Sequence, residues 1–347
     1  MKRSGPPNSI QRVSLRAIAF PIGDVQLEWQ GGRLREEFLS LHEGVRQASP
    51  GFFFDRVIPV NLRDLPPPSR LREFSALKAH LWREYIKGLQ APAGSAELRT
   101  LIEGLQTRQE AAVEDWQRRG WRARPYDLRL THRMVIGLGR ASVWETGMTW
   151  HRPTGLPYIP ASAIKGIVRG WRINQVLTRY AETHLQAAST QDRIARLSEL
   201  DDRIARQTEP PEDLPPETRQ DLQTVYRWFG STEFRGLVTF LDAFPTEPPG
   251  FELDVMNVHY PEYYRGDAPE ALDIESPNPV VFLTVARTPF RFWILVDALR
   301  AGQEADPILH AVGQALAQAL QASGIGGKTR LGYGRFEGKG RSDKVTR

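Results

Sequence analysis

GIGGKTRLGYGRF, residues Gly324–Phe336, says more about this 347-residue chain than any other stretch. It holds five glycines and three cations, Lys328, Arg330 and Arg335, between a helix-like apolar period and a short strand-like end. Glycine has no Cβ, so a ligand can approach the backbone closely and successive N–H groups can line an anion site. From Gly324 onward, seven bases stand against two acids, and this local +5 equals the formal net charge of the chain. The stretch predicts a loop that binds a polyanion.

Part of the loop resembles the phosphate-binding loop of nucleotide hydrolases. Ala322–Thr329 (ASGIGGKT) departs from that pattern in one residue, Ala322, where the pattern has glycine. A phosphate-binding loop of that class runs from a strand into a helix, whose N-terminus faces the phosphates. Here a helix-like segment comes first and a strand-like segment follows, so we expect no nucleotide hydrolase site.

Composition indicates a soluble globular class. Hydrophobic residues make up 40% and charged residues 25% of the chain. No apolar run reaches the roughly 20 residues that cross a bilayer, and MKRSGPPNSI lacks the apolar core of a secretory signal. With no cysteine and no His-x-x-x-His pair, we expect neither a metal site nor a cofactor. A cytoplasmic location follows as an expectation.

Arginine provides 39 of the 46 bases. Codon bias in a GC-rich genome is the larger cause, but the bases are also clustered. Arg118–Arg133 holds six arginines and one acid, and Tyr158–Arg172 holds three bases and no acid. Asp192–Asp221 holds nine acids and five arginines. Such segregation indicates a nucleic-acid face with a solvated acidic segment elsewhere.

The chain divides by pattern into two parts. Residues 1–125 predict a largely helical N-terminal region, including an amphipathic helix after Ser69 and a weaker one over Ser95–Arg119. Residues 126–342 predict a second architecture with insertions near 187–220 and 249–278, and 343–347 form a tail.

The second part follows the order strand, helix, strand, strand, helix, strand, if the apolar pair at 279–297 counts as one long element. This order predicts an α+β, ferredoxin-like core. The predicted elements are Tyr126–Gly139, a helix capped by Ser162 and running to about His184, Gly236–Phe244, the pair Pro279–Val285 and Pro289–Asp297, a helix from Asp306 with Ile308, Leu309, Val312, Leu316 and Leu320 on one face, and Leu331–Phe336.

Four blocks carry a family resemblance. GLPYIPASAIKGIVRGW (Gly155–Trp171), WFGSTEFRGLVTFLDAFP (Trp228–Pro245) and the glycine-rich loop resemble motifs of the repeat-associated mysterious proteins (RAMPs) of CRISPR–Cas systems. DVMNVHYPEYYRG (Asp254–Gly266) makes the resemblance greatest to the sixth-subunit family of the type III-B Cmr effector complex. Ala161 and Ala163 depart from the family pattern, which has glycine and serine there.

The resemblance implies a ferredoxin-like RNA-binding subunit without catalytic residues of its own. It implies CRISPR RNA and target RNA as ligands, with the 3′ part of the CRISPR RNA held at one end of a backbone filament. The implied protein partners are the backbone RAMP subunit, a small helical subunit and subunit one of the Cmr complex. Cleavage of target RNA would lie in the backbone subunit.

The candidate RNA-binding residues come from the loop, the helix-start motif and the fourth block. They are Ser162, Lys165, Gly166, Arg169, His259, Arg265, Gly324, Gly326, Gly327, Lys328, Thr329, Arg330, Gly332, Tyr333, Gly334 and Arg335. For the charged residues, the alternative is an ordinary solvated surface. Tyr333 and Trp171 could each stack on a base, and core packing is the alternative for both.

Two other functions stay open from the sequence. A CRISPR-RNA processing endoribonuclease would need a histidine base, and His132, His151 and His259 are available, with Lys328 to stabilise the charged transition state. None of the three histidines has a partner evident from spacing. A protein scaffold whose basic surface meets acidic subunits is the third hypothesis.

Overall fold

The computed structural model describes residues 11–15, 25–30, 33–34, 96–140, 142, 146–258, 266 and 278–338. The described residues divide between two compact units. The first takes residues up to 101, 138–157 and 248–285, and the second takes 102–137, 158–247 and 286–338.

The elements are numbered in chain order. The strands are β1 (Gln11–Leu15), β2 (Val25–Gln30), β3 (Arg33–Leu34), β4 (Trp121–Leu130), β5 (Arg133–Met134), β6 (Trp150–His151), β7 (Leu156–Pro157), β8 (Val238–Phe240), β9 (Phe244–Pro245), β10 (Gly250–Val258), β11 (Asn278–Ala286), β12 (Pro289–Asp297) and β13 (Phe336–Glu337). The helices are α1 (Ala96–Arg118), α2 (Ala161–His184), α3 (Thr190–Arg206), α4 (Pro216–Phe229), α5 (Ala298–Ala301) and α6 (Ala305–Ala322).

The second unit contains the ferredoxin-like core that the sequence predicts. Its sheet has the order β13-β4-β12-β8, and all neighbours are antiparallel. Counting only these four strands along the chain, the order is fourth, first, third, second, with α2 after the first strand and α6 after the third. This is the split βαβ arrangement, and the ferredoxin-like prediction is confirmed.

The core follows from apolar periodicity in two elements. In β12, six of the last seven residues are buried, and Phe290, Phe292, Ile294, Leu295 and Val296 have no measurable exposure. The face of α6 identified from the sequence is buried as well, at 3% exposure or less for each of its five residues. Trp293 and Leu295 lie in a separate cluster with Val113 of α1. Successive strand residues face opposite sides of a sheet, so both faces of β12 are covered.

The first unit holds smaller antiparallel pairs. β1 pairs with β2, and β2 pairs with β3. β6 and β7 form a hairpin, while β10 and β11 are neighbours in a sheet. The ring of Trp150 lies 5.7 Å from that of Phe251, and Thr284 Oγ1 donates to the carbonyl of Glu252 at 2.8 Å.

Several predicted elements differ in the structure. The predicted pair Pro279–Val285 and Pro289–Asp297 is confirmed as β11 and β12, with the left-handed backbone of Arg287 (φ +47°) in the turn between them. Counting the pair as one long element of the core is wrong, because only β12 joins the four-stranded sheet. Leu331–Phe336 is wrong as a strand: Thr329–Leu331 forms a 3-10 turn and the strand is Phe336–Glu337. The first strand of the core begins at Trp121 rather than at Tyr126, because the alternation of more and less exposed residues extends upstream of Tyr126.

Helix starts also differ. Pro160 is the N-cap of α2 without a side-chain hydrogen bond, so capping by Ser162 is wrong. The helix over Ser95–Arg119 is confirmed as α1, whereas the helix after Ser69 lies outside the described residues. The domain division at residue 125 and the tail at 343–347 stay predictions. No helix among the described residues is long and apolar enough to span a bilayer.

The predicted insertion near 187–220 is helical. It contains α3 and the start of α4, joined by a loop in which Asp213 accepts hydrogen bonds from Arg203 at 2.6 Å and Arg196 at 2.7 Å. These two arginines lower the pKa of Asp213 below its ordinary value of 3.8, the Arg203 hydrogen bond contributing most. The charged network closes the loop onto α3.

This network predicts a pH-dependent stability difference. A carboxylate whose pKa is lowered on folding stabilises the fold above its unfolded-state pKa, and that contribution is lost as the pH falls through the folded-state value. Asp213→Asn should therefore lower Tm at pH 7, and the gap from wild type should shrink as the pH falls below 3.8. Thermal melts at pH 7 and below pH 3.8 measure this difference in Tm. Asp201→Asn in α3 is the control, and a difference in Tm that does not change with pH would contradict the prediction.

Candidate nucleic-acid interface

The fold brings the helix-start motif and the glycine-rich loop to one edge of the core sheet. In a split βαβ fold each helix runs antiparallel to the strand before it, and β4 is antiparallel to β12. The start of α2 and the end of α6 therefore lie at the edge where β4 ends. Trp171 Nε1 donates to Gln318 Oε1 at 3.2 Å, six residues after Lys165 and six before Gly324. Antiparallel helices in this register place Lys165 beside the loop.

The loop is tied to the chain that follows β4. The N–H of Gly327 donates to the carbonyl of Val135 at 2.8 Å, and that of Gly334 donates to Arg133 at 2.6 Å. Thr131 donates to the carbonyl of Arg335 through both its N–H and its hydroxyl, each at 2.9 Å. These bonds hold the loop in a fixed conformation.

The glycines of the loop are required by backbone geometry. Gly324, Gly326 and Gly334 have φ of +73°, +97° and +68°, and a Cβ on each would collide with the carbonyl oxygens of Tyr333, Val135 and Ile325 respectively. The N–H groups of Gly324, Gly327, Gly332 and Gly334 donate to carbonyls of the chain itself. The expectation that successive N–H groups face a ligand is therefore wrong for these four residues, whose role is to shape the loop.

The charges of the loop remain accessible. Arg330 and Arg335 are exposed, and Lys328 and Thr329 are half-buried at the start of the 3-10 turn. Lys328 adopts left-handed backbone (φ +58°), which a non-glycine residue takes rarely. Within the described residues, no carboxylate pairs with Arg330 or Arg335. The loop thus presents cationic side chains from a rigid backbone.

The exposure of two loop residues bears on their predicted roles. Tyr333 is only 8% exposed, which agrees with core packing for its ring; RNA contact at this position stays a prediction. Leu331 is 71% exposed among the loop cations, and sequence reasoning missed it. The sequence signal for this exposed side chain was an apolar residue between Arg330 and Gly332, but that residue was interpreted as part of a strand.

Lys165 and Arg169 form a like-charged pair on α2. Burial lowers the pKa of Lys165, and the positive charge of Arg169 lowers it further. The guanidinium carbon of Arg169 lies 5.7 Å from the centre of the Tyr226 ring. In the part of the chain that the structure describes, neither residue has a carboxylate partner. A bound anion would relieve this repulsion.

The surface of α2 beside Lys165 and Arg169 is formed by Gly166 and Ser162. Both residues are exposed on α2, and a Cβ at Gly166 would meet no atom within 4 Å. An interior helix glycine costs roughly 1 kcal/mol relative to alanine, and nothing described in this chain fills the space it leaves. Trp171 is half-buried, and its indole N–H donates to Gln318. The side chain therefore also has a structural contact within the chain, which stacking on a base alone would not explain.

The remaining predicted residues are three histidines and Arg265. His259 and Arg265 lie outside the described residues. His132 is exposed and its carbonyl accepts from Arg287 at 3.0 Å, while His151 Nδ1 is 2.8 Å from Thr154 Oγ1. The described residues include no group of three His, Asp or Glu that could hold a metal ion.

Comparison with known proteins bears on these motifs. The sequence model of the RAMP superfamily matches residues 127–337. The chain belongs to the RAMP superfamily. Over 229 residues it is 32% identical to the CRISPR system Cmr subunit Cmr6 of Pyrococcus furiosus, covering 59% of this chain and 64% of the relative. It is 27% identical to the Cmr6 subunit of Saccharolobus solfataricus over 216 residues, covering 61% and 56%.

A type III-B Cmr-beta complex bound to cognate target RNA contains a structurally similar chain, with TM-score 0.49, 21% identity, and coverage of 81% of this chain and 77% of that one. The matches span less than two thirds of either Cmr6 relative. The superfamily assignment confirms the resemblance drawn from the motifs, since the matched range includes Gly155–Trp171, Trp228–Pro245 and the loop.

Proposed function

We propose that this RAMP-superfamily protein is an RNA-binding subunit of a type III-B CRISPR effector complex. The observation that carries the proposal is the convergence of the Lys165–Arg169 pair and the loop cations Lys328, Arg330 and Arg335 at one edge of the ferredoxin-like core. Side chains so placed can contact successive phosphates of one strand. The Cmr6 relatives support the kind of assembly.

The finer role follows the family resemblance. The subunit holds the 3′ part of the CRISPR RNA at one end of the backbone filament, adjoining the backbone RAMP subunit, the small helical subunit and subunit one, and contributes no catalytic residue. Target RNA pairs with the guide that the subunit holds. The edge described above is the guide-facing surface, and binding there depends on phosphate charge, so affinity falls steeply with salt.

The full-length chain and labelled repeat RNA, incubated without metal, test this function. We expect retention of the RNA without cleavage. Site-specific cutting that a His132→Ala or His151→Ala change abolishes would support the processing endoribonuclease instead. A map of crosslinks to uridine analogues separates RNA binding from a protein scaffold, because a scaffold gives no adducts near the loop.

Gly166 gives a prediction in which stability and binding move in opposite directions. Gly166→Ala should raise the free energy of unfolding by roughly 1 kcal/mol, because alanine favours the helix and its Cβ meets no atom. The same change should weaken RNA binding several-fold, since the added methyl group obstructs the approach of the strand. Denaturant unfolding and fluorescence anisotropy measure the two effects.

Gly104→Ala in α1 is the matched control, because that glycine is also exposed with open space at its Cβ. It should stabilise the chain equally and leave RNA affinity unchanged. Equal affinities for the Gly166→Ala and wild-type proteins would remove Gly166 from the proposed contact surface.

A further inference from the structure

The cations of α2 extend beyond the two that the family motif contains. Lys165, Arg169 and Arg172 stand at i, i+4 and i+7, a spacing that places them on one helix face. At 1.5 Å per residue they extend about 10 Å along the axis, away from the glycine-rich loop. All three are half-buried. They form a row along α2 that begins at the proposed RNA edge.

Aromatic rings of α4 hold the two arginines of the row. The guanidinium carbon of Arg172 lies 5.2 Å from the centre of the Trp228 ring, and that of Arg169 lies 5.7 Å from Tyr226. Both rings are at most 8% exposed, and the Tyr226 hydroxyl donates to the carbonyl of Ile204 at 3.0 Å. Arginine stacked on a fixed ring loses little further freedom when it binds an anion.

The charge of Arg172 is poorly compensated within the chain. Its Nη1 donates to the neutral Gln175 Oε1 at 3.0 Å, and its Nε is buried without a hydrogen-bond partner. Burial lowers the pKa of Arg172. The carboxylate of Asp221 is the acidic group that acts electrostatically on Arg172, but it is paired with Arg179 at 2.7 Å. Burying a cation without a carboxylate is costly unless an anion completes the site.

We infer that Arg172 binds a phosphate of the RNA strand, so that the strand runs from the glycine-rich loop along α2 past Lys165 and Arg169. This inference rests on the proposed function and lengthens its contact surface by one phosphate. The axial steps of about 6 Å and 4.5 Å between the cations are compatible with neighbouring phosphates of a single strand. Arg172 lies outside the Lys-Gly-x-x-Arg motif, which ends at Arg169.

The salt dependence of binding tests the inference. The full-length chain is titrated against fluorescein-labelled single-stranded RNA between about 50 and 200 mM salt. Each lost phosphate contact should reduce the slope of log K against log salt by about 0.7. Arg172→Gln should show that reduction and bind about tenfold more weakly. Arg172→Lys should keep the slope, because the charge is retained.

Arg206→Gln is the matched control, because it removes an exposed arginine of α3 that has a carboxylate partner in Asp202. It should leave the slope unchanged. If Arg172→Gln lowers Tm but keeps the wild-type slope, Arg172 only clamps α2 to α4 and the inference is overturned. If the slope is kept and the variant instead loses a protein subunit from the complex, the row binds an acidic protein surface and the inference is equally overturned. Wild-type chain that binds RNA without salt dependence would overturn the proposed function itself, so the two failures are distinguishable.

Discussion

Replacing Lys328, Arg330 and Arg335 together with glutamine should weaken binding of single-stranded RNA by about a hundredfold or more at low salt. Hydrogen bonds to charged groups contribute about 1.5–3 kcal/mol each, and 1.4 kcal/mol is a factor of ten in affinity. The slope of log K against log salt should fall by about 2, since each single-strand phosphate contact contributes about 0.7. Anisotropy titrations at several salt concentrations give both values.

The control for this variant must carry the same change of net charge. Arg99 and Arg108 of α1 and Arg206 of α3 are exposed arginines outside the motifs of the proposed site. Replacing these three with glutamine should leave the slope close to that of wild type. If both triple variants weaken binding equally, the RNA responds to net charge alone. If the loop variant retains guide RNA and assembles into the complex as wild type does, the loop is not the binding surface.

The core of the fold could be predicted because its elements obey simple periods. The five apolar residues of α6 recur at three- and four-residue steps, and β12 is an apolar run interrupted only by Arg291 before it ends at Asp297. The division of 279–297 into two strands could be predicted as well. The left-handed backbone of Arg287 between them could not, because arginine gives no local signal for that conformation.

The composition of the site could be predicted, but its geometry could not. Charge clustering and the motifs identified Lys165, Arg169 and the loop cations. The sequence did not show that residues 187–220 fold into helices, of which the second supplies Tyr226 and Trp228 beside α2. Contacts between residues that are more than 50 positions apart leave no periodic trace, so the two aromatic contacts could not be predicted.

The glycines of the loop show the same limit. Five glycines in 13 residues indicate close approach of the backbone, but the pattern does not tell whether a ligand or the chain itself approaches. In the structure the approaching atoms are carbonyl oxygens of the protein. The glycines therefore fix the conformation from which the cations project, and the proposed RNA contacts fall to the side chains rather than to the N–H groups.

Gly334→Ala should be the most destabilising single change in the loop. Left-handed backbone costs a residue with a Cβ roughly 1–2 kcal/mol, and the methyl group would also collide with the backbone of Ile325, including its carbonyl oxygen. We expect a loss of about 3 kcal/mol or more in the free energy of unfolding. RNA affinity should fall with it, because Arg335 is the next residue and would move. Denaturant unfolding measures the first effect and anisotropy the second.

Gly332→Ala separates the two causes of that loss. Gly332 also has a left-handed backbone, at φ +88°, but a Cβ there would meet no atom within 4 Å. Its substitution should cost only about 1–2 kcal/mol, the conformational part alone. A larger loss for Gly334→Ala therefore measures how tightly the loop packs against its own backbone, and equal losses at the two positions would mean that the loop yields to the added methyl group. In that case the loop could not hold Lys328, Arg330 and Arg335 in fixed positions, and its selectivity for RNA would have to come from charge alone.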